Sequence, residues 1–326
     1  MINWFNVADY EKRLRASNFF IGGRGIGKTF SAFSFIYNTG CFIYVRNTLT
    51  QLDECCCEFG NPFKKWNKVM GHDIHMIKEK NHALIVEGEK EDEHIVGYGG
   101  ALSATKALRG IDLSDVKIGV LDEFIEDRRL NFDQGKAYDD LYETVNRNRE
   151  LEGEEIFKCL LLSNAQKLNN PILARKNLIT PIEDMLRLQQ QTWANKSNFV
   201  CIPKSEVSDL KAKTSFYDGY ENSKTYQEAI ENKFANDSFY GIKKRPLKEY
   251  VGLCMIDGIY IYKHKNGGKL YACMTMCNSV PEFTSKDNFA LFYRAYGQTL
   301  DYMSATGDLE FSDFTTKTKL FEILKI

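Results

Sequence analysis

The run Gly22-Gly23-Arg24-Gly25-Ile26-Gly27-Lys28-Thr29 restricts this chain more than any other feature, because it fits G-x-x-x-x-G-K-[ST]. It follows a short apolar run, Asn18 to Ile21, and precedes a helical pattern from Lys28 to Tyr37 that stops near Gly40. Strand, glycine-rich turn and helix in that order build a phosphate cradle. The glycines let successive N–H groups point inward at phosphate oxygens, and the helix N-terminus adds its partial positive charge behind them. On this chemistry Gly22, Gly23, Arg24, Gly25, Ile26 and Gly27 wrap the phosphates of ATP, Lys28 reaches the β- and γ-phosphates, and the Thr29 hydroxyl ligates Mg²⁺. Arg24 brings a second cation to the loop.

Composition sets the outer limits. A chain of 326 residues, 43% hydrophobic and 27% charged, has room for about two domains on a prior of ~150 residues each. No stretch approaches the ~18 to 20 apolar residues of a membrane span, and the start, MINWFNVADYEKRLR, lacks the apolar block of a secretory signal, so no membrane partner is expected. Lys and Arg number 43 against 44 Asp and Glu, a net charge of -1, so contact with nucleic acid must come from local patches. The nine cysteines are read as reduced thiols of a cytosolic protein. Cys55, Cys56 and Cys57 are adjacent and point apart. Cys273 and Cys277 have tolerable ligand spacing without a partner cluster, so no structural metal site is expected.

Over the first ~200 residues short β-rich runs alternate with helical patterns, the signature of a parallel-rich sheet flanked by helices. Asn18 to Ile21, Cys41 to Arg46, Lys117 to Leu121 and Phe157 to Leu162 read as strands buried on both faces. His75 to Lys80 and Ala83 to Glu87 flank Asn81-His82 and read as a hairpin added antiparallel to the sheet. We expect a phosphate-loop ATPase domain over 1–204, a polar, lysine-rich linker or small helical subdomain over 205–248, and a β-rich domain over 249–326. In the last, Val251 to Tyr262 is broken by Asp257-Gly258, Lys269 to Met276 follows Asn266-Gly267-Gly268, and a helix runs from Thr318 to Ile326.

The apolar run Lys117 to Leu121 ends in Asp122-Glu123. Downstream of a phosphate loop, such a pair supplies a carboxylate for the magnesium, Asp122, and one that polarises a water for in-line attack on the γ-phosphate, Glu123. Two strand candidates intervene between the loop strand and the acidic strand, which suits the additional-strand, catalytic-glutamate (ASCE) division of these ATPases. Phe157 to Leu162 ends in Ser163-Asn164, placing both residues where they can sense the γ-phosphate, with a simple turn after a strand as the competing reading. Val145 to Arg149 carries Arg147 and Arg149 between these strands. Arg147 is favoured as an arginine finger, Arg149 is second, and an ion pair of Arg147 with Glu150 or Glu152 is the competing reading. Arg46 and Arg109 are further candidates for nucleotide or intersubunit contacts.

In that order and spacing, FFIGGRGIGKT, CFIYVRN, VLDEF, VNRNRE and LLLSNAQKLNNP resemble the encapsidation proteins of small podophages, the ATPases of viral DNA-packaging motors. The likeness covers most of residues 15 to 175, and Lys106 to Glu123 more distantly resembles large terminase subunits. It implies a homo-oligomeric ring, pentameric in the family, docked in the host cytoplasm on the portal (connector) of a procapsid and driving double-stranded DNA inward with ATP and Mg²⁺. A packaging RNA bridges motor and portal in some relatives. It carries the finger role onto Arg147, acting in trans, and the nucleotide roles onto Lys28, Thr29, Asp122 and Glu123. It further implies an α+β second domain resembling a degenerate RNase H-like nuclease. Asp257, Asp301 and Asp308 form no recognisable metal-binding set there, so no cleavage is expected.

The best local basic cluster for DNA phosphates is Lys243, Lys244 and Arg245 with Lys248, backed by Lys211 and Lys213. Other readings share the same phosphate loop: a kinase acting as a monomer on a small molecule, a nucleotide-gated assembly factor without productive turnover, and a terminase with an active nuclease.

Overall fold

The computed structural model describes residues 3–88, 92–126, 130–217, 239–277 and 279–325, together with Ser223, Tyr226, Ile230 and Phe234. The chain divides into two compact units, Met1–Leu178 with Asp184–Asp237, and Ile179–Glu183 with Ser238–Ile326. Much of the expected 205–248 linker lies outside the described residues, as does Ile326 at the end of the expected last helix.

The first unit holds nine strands: β1 (Ser17–Ile21), β2 (Phe42–Arg46), β3 (Ile74–Glu79), β4 (His82–Glu87), β5 (His94–Ala101), β6 (Ile118–Asp122), β7 (Lys158–Ser163), β8 (Thr192–Ala194) and β9 (Asn198–Cys201). They form one sheet in the order β3-β4-β5-β2-β6-β7-β1-β9-β8. Strands β5, β2, β6, β7, β1 and β9 run parallel, and the β3–β4 hairpin and β8 add antiparallel strands at the two edges. Around it lie α1 (Lys28–Tyr37), α2 (Leu49–Cys55), α3 (Lys64–Met70), α4 (Thr105–Leu108), α5 (Gln134–Asn146), α6 (Arg149–Glu152), α7 (Pro171–Arg175) and α9 (Glu206–Ala212), while α8 (Ile179–Arg187) is divided between the units, Ile179–Glu183 belonging to the second.

The central strands are apolar along their whole length because helices cover both faces. All five residues of β1 and of β6 are buried. On one face Phe33 of α1 packs its ring 5.7 Å from Tyr44 of β2 and 4.4 Å from Phe63, so aromatic contacts fasten the phosphate-loop helix to the sheet.

An additional strand does separate the loop strand β1 from the acidic strand β6, but it is β7, which comes later in the chain. The two candidates that suggested it, β2 and the hairpin, lie on the far side of β6. Strand β5 went unread because its sequence, HIVGYGGA, holds three glycines that depress β-propensity. Crowding explains them: a Cβ on Gly97 would lie 2.4 Å from the Phe42 carbonyl oxygen, and one on Gly99 2.4 Å from the Met76 methyl. Strands β8 and β9 are too short to announce themselves.

In the second unit β10 (Tyr250–Ile256), β11 (Ile259–His264) and β12 (Leu270–Cys273) form an antiparallel meander. Asp257 and Gly258, at φ 45° and 80°, make its first turn, the left-handed pair a tight hairpin requires. Strands β13 (Glu282–Phe283) and β14 (Leu309–Phe311) add in parallel to β10 and β12, giving the order β13-β10-β11-β12-β14. With α10 (Phe289–Phe292), α11 (Gln298–Thr306) and α12 (Phe314–Leu324) the unit is α+β, with its own core around Cys254, Ile261, Phe292, Phe311 and Leu320.

Candidate nucleotide-binding and hydrolytic site

Parallel register brings the expected residues to one edge. Ile21 pairs with Ser163 and Asp122 with Leu162, so the phosphate loop, the acidic pair and Asn164 all emerge at the carboxyl ends of β1, β6 and β7. Gly25 and Gly27 take φ of 77° and 100°, a left-handed backbone that a side chain would strain, and Gly27 leads into α1 without a side-chain cap. The first N–H groups of α1 are therefore left for a ligand.

Lys28 is buried at the mouth of the loop. Its ammonium donates to the carbonyls of Gly22 (3.0 Å) and Gly23 (2.8 Å) and to Asn164 Oδ1 (3.2 Å). Burial pushes its pKa down to about 8, with the Lys211 charge acting in the same direction and Asp122 and Glu123 opposing. Arg24 is exposed at the loop apex, and Ile26 is buried beneath it.

Thr29 Oγ1 donates to Asp122 Oδ1 at 3.5 Å, and the Tyr44 hydroxyl donates to Asp122 Oδ2 at 3.2 Å. Burial raises the Asp122 pKa, against the pull of Arg46. Among the described residues no group of three or more His, Cys, Asp or Glu gathers to hold an ion. A magnesium that takes most of its ligands from water and phosphate needs only a hydroxyl and a carboxylate of the kind Thr29 and Asp122 present, so the donor set fits it.

Glu123 does not extend the strand. It sits at φ 54°, its N–H donates to Asp122 Oδ1 at 3.1 Å, and its carboxylate is half exposed and paired with Arg46 Nη2 at 2.6 Å. The Arg46 guanidinium also reaches Asp122 Oδ2 at 3.8 Å. Burial works to lower the Arg46 pKa, but Tyr44, Asp122 and Glu123 together raise it, so this arginine stays charged.

A buried polar network that the sequence did not announce supports this loop. Asn47 Nδ2 donates to the Glu123 carbonyl and to Glu126 Oε1, both at 2.8 Å. Gln134, the first residue of α5, donates to Asn47 Oδ1 (2.7 Å) and to the Phe124 carbonyl (2.6 Å). Asn170 caps α7 with its oxygen and donates its amide to Gln134 Oε1 at 3.0 Å. Ser163 Oγ accepts from the Ile125 N–H at 3.3 Å. The backbone of Glu123 is thus tied to the ends of β2 and β7 and to the start of α5.

Helix α5 ends at Arg147, an exposed side chain on a backbone with φ 45° and ψ -126°. Among the described residues Arg147 makes no ion pair with Glu150 or Glu152, and its charge helps lower the pKa of Asp112, behind hydrogen bonds from Ser114. Arg149 differs from expectation. It is buried and donates to the carbonyls of Leu113 (3.2 Å) and Ser114 (2.6 Å), so it holds the approach to β6 in place and is not presented to a neighbour. Arg109 is exposed, 3.9 Å from Asp140 of α5.

The basic cluster in the second unit is partly neutralised. Glu310, buried on β14, pairs with Arg245 (2.6 Å), Lys269 (2.9 Å) and Lys243 (3.3 Å), while Lys244 and Lys248 are exposed. Asp257 accepts from the Ser285 N–H, Asp301 from the Tyr293 hydroxyl and Asp308 from the Thr306 hydroxyl. Lys211 lies against the phosphate loop.

The chain is similar to DNA packaging proteins of Bacillus phages. A DNA packaging protein of Bacillus phage B103 is 29% identical over 240 residues, 71% of this chain and 68% of the relative. That of Bacillus phage phi29 is 26% identical over 242 residues, 71% of this chain and 66% of the relative. The bacteriophage Phi-29 viral genome packaging motor assembly superposes with a TM-score of 0.65 at 21% identity, covering 99% of this chain and 98% of that one, which establishes a shared fold. The family model described as Podovirus DNA encapsidation protein (Gp16) matches residues 3–265, and the chain belongs to that family.

Proposed function

We propose that this protein is the ATPase of a DNA-packaging motor, which hydrolyses ATP to drive double-stranded DNA through the portal of a procapsid in the host cytoplasm. The observation that carries this reading is the convergence of Lys28, Thr29, Asp122, Glu123 and Asn164 at one sheet edge in a chain of the encapsidation family. Gly22 to Gly27 present N–H groups to the ATP phosphates, Lys28 neutralises the β- and γ-phosphates, and Asn164, which holds Lys28, detects whether the γ-phosphate is there. Thr29 and Asp122 would hold Mg²⁺, which would supply charge neutralisation at the phosphates. Glu123 accepts the proton of the attacking water once its carboxylate leaves Arg46.

Arg147 supplies a guanidinium for the γ-phosphate in trans, the Arg46 guanidinium of the same subunit being engaged by Glu123 and Asp122. It stands exposed, with no ion pair among the described residues, at the end of a helix whose first residue is hydrogen-bonded beside Glu123, which suits a finger offered to the neighbouring subunit of a ring. Five subunits, the number the family resemblance implies, would close it, with the connector and a packaging RNA as further partners. The second unit, 238–326, would contact DNA through Lys244 and Lys248, with Lys243 and Arg245 sharing their charge with Glu310. Domain assignments of 1–204, 205–248 and 249–326 as ATPase, linker and vestigial nuclease-like domain go with this reading.

Hydrolysis by the purified chain, measured over a protein concentration series with and without double-stranded DNA, tests it. Specific activity rising with both is expected of a ring motor. Activity per molecule that is constant and indifferent to DNA fits a monomeric kinase-like enzyme instead.

A further inference from the structure

Three cations converge on the phosphate loop, and only two of them belong to its motif. The third is Lys211 on α9, 183 residues after Lys28. Its ammonium donates to the Arg24 carbonyl at the loop apex, and a Cβ on Gly25 would lie 3.4 Å from its nitrogen. The Tyr217 ring lies 5.5 Å from the same ammonium and holds it from the outer side.

This placement is electrostatically unfavourable without a ligand. Lys211 depresses the pKa of buried Lys28, and Arg24 helps depress that of Lys211 itself, behind burial. Among the described residues no carboxylate forms an ion pair with Lys211, although the chain carries 44 acidic residues. A cation held beside two others over a cradle of N–H groups, with no ion pair among the described residues, is stabilised when a polyanion enters between them.

We propose that Lys211 is a phosphate-binding residue of the same nucleotide site, contacting the terminal phosphate of ATP in cis. The carbonyl it now holds is that of Arg24, within the phosphate loop. The Lys211 side chain exchanges that carbonyl for a γ-phosphate oxygen, and α9 is drawn onto the nucleotide only when the third phosphate is present. This rests on the ATP-binding reading above and extends it to a segment outside the motif.

The test compares affinities, by titration calorimetry on the full chain with Mg²⁺, for a non-hydrolysable ATP analogue and for ADP. Wild type, Lys211→Ala, Lys211→Arg and, as a control in the exposed turn between β8 and β9, Lys196→Ala are compared, with thermal melts confirming that each is folded. We expect Lys211→Ala to lose about tenfold in affinity for the ATP analogue and less than twofold for ADP, with Lys211→Arg recovering most of the loss and Lys196→Ala unchanged. Equal losses for both ligands, or none, would overturn the assignment while leaving the nucleotide site intact. Wild-type protein that binds neither ligand would instead sink the ATP-binding reading itself.

Discussion

The Arg46 guanidinium holds the Glu123 carboxylate at 2.6 Å and reaches the buried Asp122 carboxylate behind it, so one arginine at the end of β2 governs both acids of the site. Glu123 is the exposed member and Asp122 the buried one, which separates their roles. Replacing Glu123 by Gln removes the base but keeps its shape and a hydrogen bond to Arg46. We expect kcat to fall by ~10²- to 10⁴-fold with nucleotide affinity within about twofold of wild type. Steady-state kinetics alongside direct nucleotide titration checks this.

Arg46→Ala has a different signature, because it strips the nearest cation from a carboxylate whose pKa burial already raises. We expect a loss of about 2–3 kcal/mol in stability and weaker magnesium-dependent nucleotide binding. Denaturant unfolding of the two variants should therefore differ, with Glu123→Gln near wild type.

Arg147 occupies a backbone conformation, φ 45° and ψ -126°, that glycine adopts freely and other residues do not. A non-glycine residue kept there points to a use for its side chain. Arg147→Gly should be more stable than Arg147→Ala by about 1 kcal/mol, since only glycine relieves the strain. Both should lose hydrolysis by ~10³-fold or more while retaining ATP binding, a combination that a surface ion-pair role would not give.

The depressed Lys28 pKa of about 8 makes nucleotide binding pH-dependent. The free site holds neutral Lys28 above that pH, whereas phosphate oxygens favour the charged form. ATP binding at pH 8.5–9 should therefore take up a proton, visible as a dependence of calorimetric enthalpy on buffer ionisation, and affinity should decline as pH rises through about 8. In the free protein the sign is opposite. Lys28 is lowered from its unfolded value, so its contribution to stability increases as pH climbs from about 8 toward about 10.5.

Glu310 carries the acid sensitivity of the second unit. Hydrogen bonds from Arg245 above all, then Lys269 and Lys243, hold its carboxyl down to about 2 against the opposing effect of burial. That stabilisation is complete above the unfolded value near 4.5 and is lost as pH falls toward about 2. It is worth roughly 2 kcal/mol once screening of its partly exposed partners is allowed for. Glu310→Gln should lower neutral-pH stability by about that amount and flatten the acid dependence in this window, as followed by denaturant unfolding from pH 2 to pH 7.

Local chemistry made the phosphate loop readable. Gly27 and Lys28 marked the first residue of α1, and Asp122-Glu123 ended an apolar run, as strand ends at a ligand edge do. What stayed hidden depends on distant contacts. Asn47, Gln134 and Asn170 carry no local pattern, yet they meet across separations of 87 and 36 residues to fix the backbone around Glu123. Arg149 ranked in sequence as a second candidate behind Arg147, because only the fold reveals that it satisfies two carbonyls before β6. Lys211 read as part of a basic surface for the same reason.

The central claim, that hydrolysis in one subunit needs Arg147 from another, is tested most directly by mixing two inactive proteins. Glu123→Gln keeps its finger but has no base, and Arg147→Ala keeps its base but has no finger. Mixed in equal amounts with double-stranded DNA, they should regain a substantial fraction of wild-type ATP hydrolysis, through interfaces that pair an intact base with an intact finger. A mixture no more active than its two components, with assembly verified, would contradict a finger acting in trans.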